Sequence, residues 1–269
     1  MQQISKIMEK ITKAQVKLIR SLQQKKFRDE LGLFVAEGEK CVDELRKGFE
    51  LVYLVRNEGA KDLRSEGEVL LASAKEIEQM SGLRTPQGVI GVFKKRSASR
   101  YSVSETVGTP SGEAGLTLAL DGIQDPGNLG TIIRTCDWFG VHDIVCSTNT
   151  ADCYNPKVVQ ATMGALARVR IHYVNLPKWL GEQSVPIYGT LLEGKNMYEV
   201  LQSSINRTSS IVQSSIIVMG NEGNGISSEV RGLITHPIRI PSFPADAETS
   251  ESLNVSIATA IVLAEFRRP

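Results

Sequence analysis

From Leu116 to its end the chain alternates short apolar runs with helix-like stretches, and no other feature restricts the fold as strongly. Strands are expected at Leu116–Leu120, Asp143–Ser147, Val169–Val174, Pro186–Leu192, Ile216–Gly220 and Pro237–Ile240. Helices are expected at Leu129–Phe139, Asn155–Ala167, Ser227–Leu233 and Leu253–Arg267. Strands that alternate with helices imply an α/β fold built on a mostly parallel sheet covered on both faces. Three strand ends run into turns rich in Gly, Pro, Asn or Ser: Asp121–Arg134, Val218–Gly225, and Ile238–Pro241 leading to Ser252–Ser256. Ligands of open α/β sheets sit at such transitions, so the three loops predict one composite site.

A smaller α/β unit precedes this pattern. Residues 4–24 fit a helix, with Ile4, Ile7, Met8, Ile11, Val16, Leu18, Ile19 and Leu22 on roughly one face. Phe34–Leu45 moves from strand to helix, and Leu51–Val55, Val69–Ala72 and Gly88–Phe93 read as strands. A Ser- and Gly-rich stretch without apolar periodicity follows. The reading divides the chain into a domain over 1–94, a linker over 95–115 and a second domain over 116–269.

The net charge is only +1, but its distribution is uneven. Lys6, Lys10, Lys13, Lys17, Arg20, Lys25, Lys26 and Arg28 face a single acid, Glu9, within that stretch. A polyanionic partner would be drawn to such a segment. A solvated helix face would carry the same charges. No apolar run approaches the roughly 20 residues of a membrane span. The first ten residues lack a signal-peptide core, and a cytoplasmic location is expected. Cys41, Cys136, Cys146 and Cys153 show no paired spacing, and His142, His172 and His236 are scattered, so free buried thiols and no metal site are expected.

In the first loop Asn128 is placed to cap a helix beginning at Leu129. Arg134 falls within the first two turns of that helix, where a cation is disfavoured unless an anion such as a phosphate compensates. The second loop resembles a phosphate cradle until Glu222 is considered. It lacks the Lys-Ser/Thr pair of a P-loop and the spacing of a dinucleotide fingerprint, and so suits a ligand bearing positive charge or hydrogen-bond donors. In the third segment Ser252 can cap the last helix, and the Asn254 amide can bond a ligand or a neighbouring loop. That helix is apolar on most faces and should be buried, in the core or against a second subunit.

Together these segments resemble the SpoU (TrmH-like) family of RNA ribose 2′-O-methyltransferases, of the SPOUT superfamily. Its first motif matches Asn128–Arg134, its second Met219–Ile226, and its third Ile240–Pro241 with Ser252–Ser256; Ala161–Ala165 looks like a recurrent family helix. The N-terminal part, with Phe34-Val-Ala-Glu-Gly38, resembles the ribosomal-protein-like RNA-binding domain many members carry. The stretch 242–251, with Asp246, Glu248 and Glu251, is longer than in many members.

The resemblance implies a deep trefoil knot, a homodimer formed through the C-terminal domain, and S-adenosylmethionine held largely by backbone groups at Thr190, Leu191, Gly220, Ile240 and Leu253. It implies that Arg134, with Asn128, Glu222, Ser252 and Asn254, carries the chemistry, and that Lys17, Arg20, Lys25, Lys26 and Arg28 meet RNA. The expected activity is 2′-O-ribose methylation of large-subunit (23S) ribosomal RNA, because a separate RNA-binding domain is present. Transfer RNA is the alternative substrate, and a non-catalytic RNA-binding or ribosome-assembly factor the alternative class. Arginine is a poor base, so Arg134 is expected to bind a phosphate and stabilise a developing alkoxide.

Overall fold

The computed structural model describes residues 9–57, 68–96, 115–203, 214–244 and 252–268. The chain forms two compact units, Met1–Ser99 with Asp152–Arg168, and Arg100–Ala151 with Val169–Pro269. The first contains β1 (Glu9–Lys10), α1 (Lys13–Ser21), α2 (Lys25–Leu31), β2 (Leu33–Glu37), α3 (Glu39–Leu45), β3 (Leu51–Asn57), β4 (Glu68–Ala72), α4 (Ala74–Met80) and β5 (Val89–Lys94). Its sheet runs β1-β4-β3-β5-β2, with β1, β4 and β3 parallel and β5 antiparallel to β3 and β2.

The single helix expected over 4–24 does not form. Glu9 and Lys10 pair with Leu70 and Leu71 instead. The helix starts after Thr12, whose hydroxyl accepts from Gln15 N while the Gln15 side chain accepts from Thr12 N. This capping box sets the start of α1 at Lys13. Residues 4–8 lie outside the described residues, as do 97–114 of the expected linker and Asp246, Glu248 and Glu251.

The second unit contains β6 (Leu116–Asp121), α5 (Pro126–Trp138) and β7 (Asp143–Ser147), and its chain leaves for α6 (Pro156–Thr162) of the first unit. It resumes with β8 (Arg170–Val174), α7 (Leu176–Gly181), β9 (Ile187–Asn196), α8 (Met197–Ser203), β10 (Ser215–Gly220), α9 (Ser228–Arg231), β11 (His236–Arg239) and α10 (Val255–Phe266). Every strand pair in the sheet β11-β9-β10-β6-β7-β8 is parallel. All residues of β7, and all but one in each of β6 and β10, are buried, as a sheet covered on both faces requires. Helices α7 and α8 lie where no helix is expected from the sequence pattern. For α7 a start signal was present: Asn175 accepts from Lys178 N, and Pro177 sits in the first turn.

The expected helix over 155–167 is broken. Met163 (φ 51°) and Gly164 (φ 91°) turn left-handed after Thr162, and a 3₁₀ turn follows at Ala165–Ala167. A Cβ on Gly164 would lie 2.3 Å from Glu44 Cβ, so this turn packs directly on α3. The Tyr154 ring packs at a tilt against Phe34 and edge-on against Phe49 of the same unit. Residues 152–168, read as part of the second domain, thus complete the core of the first unit.

Candidate active site

Parallel register places Asp121 beside Gly220, so the loops leaving β6 and β10 emerge side by side at the carboxyl ends of adjacent strands. Asn221 Nδ2 donates to Gly122 O at 2.7 Å, and Ser227 N donates to Asp121 Oδ2 at 2.8 Å. Asn221 and Gly225 exchange backbone hydrogen bonds, closing the second loop into a tight turn with Gly225 at φ +67°. Gly220 must lack a side chain, because a Cβ there would stand 2.4 Å from Gly225 C and Ile226 N. Asp121 and Asn221 therefore tie the two loops together, a role not expected for either from the sequence. The signal in the sequence is a carboxylate closing the largely apolar run Leu116–Leu120.

Three expected residues from three separate loops meet. Asn128 Nδ2 donates to Glu222 Oε1 at 2.9 Å, and Asn254 Nδ2 donates to Asn128 Oδ1 at 3.0 Å. The direction of this relay is set at its far end. Asn254 is the N-cap of α10, and its Oδ1 accepts from Ser256 N and Ile257 N, so its amide nitrogen must point at Asn128. The Asn128 oxygen is thereby engaged, and its nitrogen is left for Glu222. Backbone geometry at one helix start thus orients a carboxylate two loops away.

Two cap assignments are corrected by this geometry. Asp125, not Asn128, caps α5, accepting from Asn128 N at 2.7 Å. Ser252 is exposed and lies two residues ahead of the true cap, Asn254. Because α5 starts at Pro126, Arg134 sits on its third turn, beyond the reach of the helix-terminus field. Arg134 is exposed and has no hydrogen-bond or ion-pair partner among the described residues. It is therefore open to solvent, and no dipole penalty at the helix start bears on it.

The residues expected to hold the cofactor border the same strand ends. β11 pairs with Tyr188 and Gly189 of β9, then jumps to Lys195 and Asn196. β10 pairs with β9 only over Ile187–Gly189, so residues 190–194 have no strand partner in register on either side. Thr190 and Leu191 are half-buried in this segment, and Leu192 is 69 % exposed. Thr190 Oγ1 reaches Val218 O at 3.4 Å. Ile240 follows β11, and Leu253 precedes the Asn254 cap with its side chain exposed.

The basic residues belong to the first unit and divide. Lys17, Arg20 and Lys26 are exposed. Lys25 pairs with Asp29, whose carboxyl the hydrogen bonds from Lys25 and Lys95 hold down at about 2. Arg28 cannot meet RNA. It is 2 % exposed, bridges Asp152 at 2.6 Å, and donates to Leu22 O and Gln23 O. A guanidinium so engaged is a structural tie.

Burial of α10 is one-sided. Val255, Ser256, Thr259, Val262 and Leu263 are buried, whereas Ile257 is 52 % exposed. Trp138, at the end of α5, is 85 % exposed. The four cysteines are buried and none is in a disulfide among the described residues, burial raising the Cys41 thiol to about 11. Among the described residues no helix is long and apolar enough to cross a membrane, and no group of His, Cys, Asp or Glu could hold a metal ion.

Residues 115–264 match the SpoU rRNA methylase family, and residues 13–91 match the MRM3-like substrate binding domain. The chain is 29 % identical to the 23S rRNA (guanosine(2553)-2′-O)-methyltransferase RlmP of Bacillus subtilis, over 97 % of this chain and 99 % of that one. A TrmH-family structure from Porphyromonas gingivalis is 37 % identical, with a TM-score of 0.80 and coverage of 96 % and 98 %. The AdoMet-bound rRNA methyltransferase structure from Sinorhizobium meliloti is 34 % identical, with a TM-score of 0.77 and coverage of 97 % and 96 %.

Proposed function

The chain belongs to the SpoU rRNA methylase family, and on that premise we propose that it transfers a methyl group from S-adenosylmethionine to a ribose 2′-hydroxyl of large-subunit ribosomal RNA. The observation that carries the reading is the relay Glu222–Asn128–Asn254, which assembles the three family motifs into one polar cluster at the sheet's carboxyl edge.

The residues present suit the cofactor. Segment 190–194, without strand partners in register, offers backbone donors and acceptors, and Leu191, Ile240 and Leu253 offer apolar surface for an adenine. Glu222 is the only charged side chain in the second loop, so that loop brings no cation against a sulfonium. When bound, S-adenosylmethionine supplies an activated methyl group on sulfur. Arg134 binds the phosphate next to the target ribose and stabilises the alkoxide that develops on its 2′-oxygen, while the proton leaves to that phosphate or to water. Asn128, Asn254 and Glu222 hold the loops in register around the reacting atoms, with Ser252 at their margin.

The unpaired apolar side of α10 with Trp138 supports a homodimer through the second unit, and family membership supports a knotted cytoplasmic enzyme. Light scattering should give twice the chain mass, and Ile257→Asp should shift it toward the single chain. Methyl transfer from radiolabelled S-adenosylmethionine to RNA from a strain lacking the gene tests the activity. Label on a ribose of large-subunit rRNA is expected. Label in transfer RNA alone would overturn the substrate, and no label in any RNA would overturn the activity.

A further inference from the structure

In the first unit α1 and α4 border a groove of about 370 Å³ lined by Arg20, Gln23, Lys75, Glu78, Gln79 and Ser81. Its charge comes from both helices. Lys13, Lys17 and Arg20 recur at helical spacing along one exposed face of α1, whose first turn contains no acid. Lys75 is exposed on α4. None of these four cations has a hydrogen-bond or ion-pair partner among the described residues. Glu78 is the one acid among the lining residues.

The groove's wall is built rather than loose. Gln23 Nε2 donates to Met80 O at 3.1 Å, which fixes the amide, and its Oε1 accepts no hydrogen bond among the described residues. Ser81 Oγ is already used, donating to the buried Glu37 carboxylate at 2.5 Å and accepting from Leu83 N at 3.0 Å. The lining therefore offers a held acceptor, Gln23 Oε1, alongside two uncommitted cations.

We propose that this α1–α4 groove is a single-stranded RNA subsite that takes one ribose–phosphate step, Arg20 and Lys75 neutralising phosphates and Gln23 Oε1 accepting the ribose 2′-hydroxyl. A ligand that pairs anionic oxygens with a neighbouring hydroxyl donor satisfies all three groups, and the ribose backbone of RNA repeats that pairing at every nucleotide. DNA offers the phosphates without the donor and leaves the Gln23 oxygen unmatched. Arg28 and Lys25 fall outside the subsite, one buried against Asp152 and the other paired with Asp29. The proposal rests on the reading that RNA is the substrate, and it adds where the first unit grips the strand and how it tells RNA from DNA.

The test is fluorescence anisotropy of the full chain with a labelled single-stranded RNA and the DNA of the same sequence, across a salt series. The double variant Arg20→Glu/Lys75→Glu should weaken RNA binding at least about tenfold and flatten the salt slope by about 1.4, two phosphate contacts' worth. Gln23→Leu should bring RNA affinity down to the DNA level while leaving DNA affinity unchanged. Lys40→Glu, an exposed charge reversal on α3 outside the groove, should shift affinity less than about twofold. Unchanged RNA binding by the double variant, an equal loss in Lys40→Glu, or a preserved RNA preference in Gln23→Leu would each overturn the subsite. Unchanged thermal midpoints separate these effects from misfolding. Methyl transfer is measured separately, so an inactive enzyme with an intact groove effect counts against the proposed activity alone.

Discussion

Asn128 illustrates how little of a residue's role is visible from its neighbours in the chain. Its position before an apolar helix suggests a cap, yet the cap is Asp125, and the Asn128 amide instead joins Glu222 to Asn254. Asn128→Asp would replace the donor facing Glu222 with an anionic oxygen. Losing a charge-assisted hydrogen bond costs about 1.5–3 kcal/mol, so kcat/KM should fall by about 10- to 100-fold, read by methyl transfer with the fold monitored by circular dichroism. Arg134 was legible as a lone cation among apolar neighbours, though for a reason the helix start removes. If its planar fork grips a phosphate, Arg134→Lys should lose at least about tenfold in kcat/KM across the whole pH–rate profile. Activity near wild type at every pH would leave no role for a bidentate contact.

Among the elements, the strands of the parallel sheet were the most legible, because burial on both faces writes them as continuous apolar runs. β7 occupies Asp143–Ser147 as expected, and β6 extends only one residue further. Short helices were less legible, since α7 and α8 bury one side and interrupt no obvious pattern. The turn after β10 was readable as glycine-rich, but the close approach that demands Gly220 is a tertiary fact. Gly220→Ala must push the backbone at Gly225 and Ile226 away, an overpacking cost of about 1–3 kcal/mol. Calorimetric titration should show S-adenosylmethionine affinity reduced at least about tenfold, with a lower thermal midpoint. At the opposite, amino end of the sheet, burial pushes the Asp143 carboxyl up, but hydrogen bonds from His172 and Arg170 outweigh it and hold it below the ordinary value. A carboxyl lowered on folding stabilises the protein above its unfolded pKa of 3.8 and loses that contribution as pH falls below it. Asp143→Asn should therefore destabilise the protein near neutrality and flatten the acid limb of a denaturation series. An unchanged acid limb would count against this group.

Across the whole molecule, the first unit is not a contiguous stretch of sequence. Its core takes in residues 152–168, and the buried Arg28 is answered by Asp152, 124 positions away. Removing one partner of a buried ion pair costs about 3–5 kcal/mol, so Asp152→Ala should lower stability by about that amount in urea denaturation. A fragment ending at Arg96 lacks Asp152 and Tyr154 and should fail to unfold cooperatively. The sequence by itself determined the parallel α/β sheet, the three polar loops at its strand ends and the basic N-terminal stretch, since burial periodicity, turn chemistry and charge are local properties of the chain. Only the tertiary structure decided which cations remain available, which asparagine caps which helix, and that one stretch of the second domain's sequence completes the first. Those outcomes depend on contacts between residues far apart in sequence, where the cost of an unpaired buried charge or donor selects the partner and no local pattern encodes it.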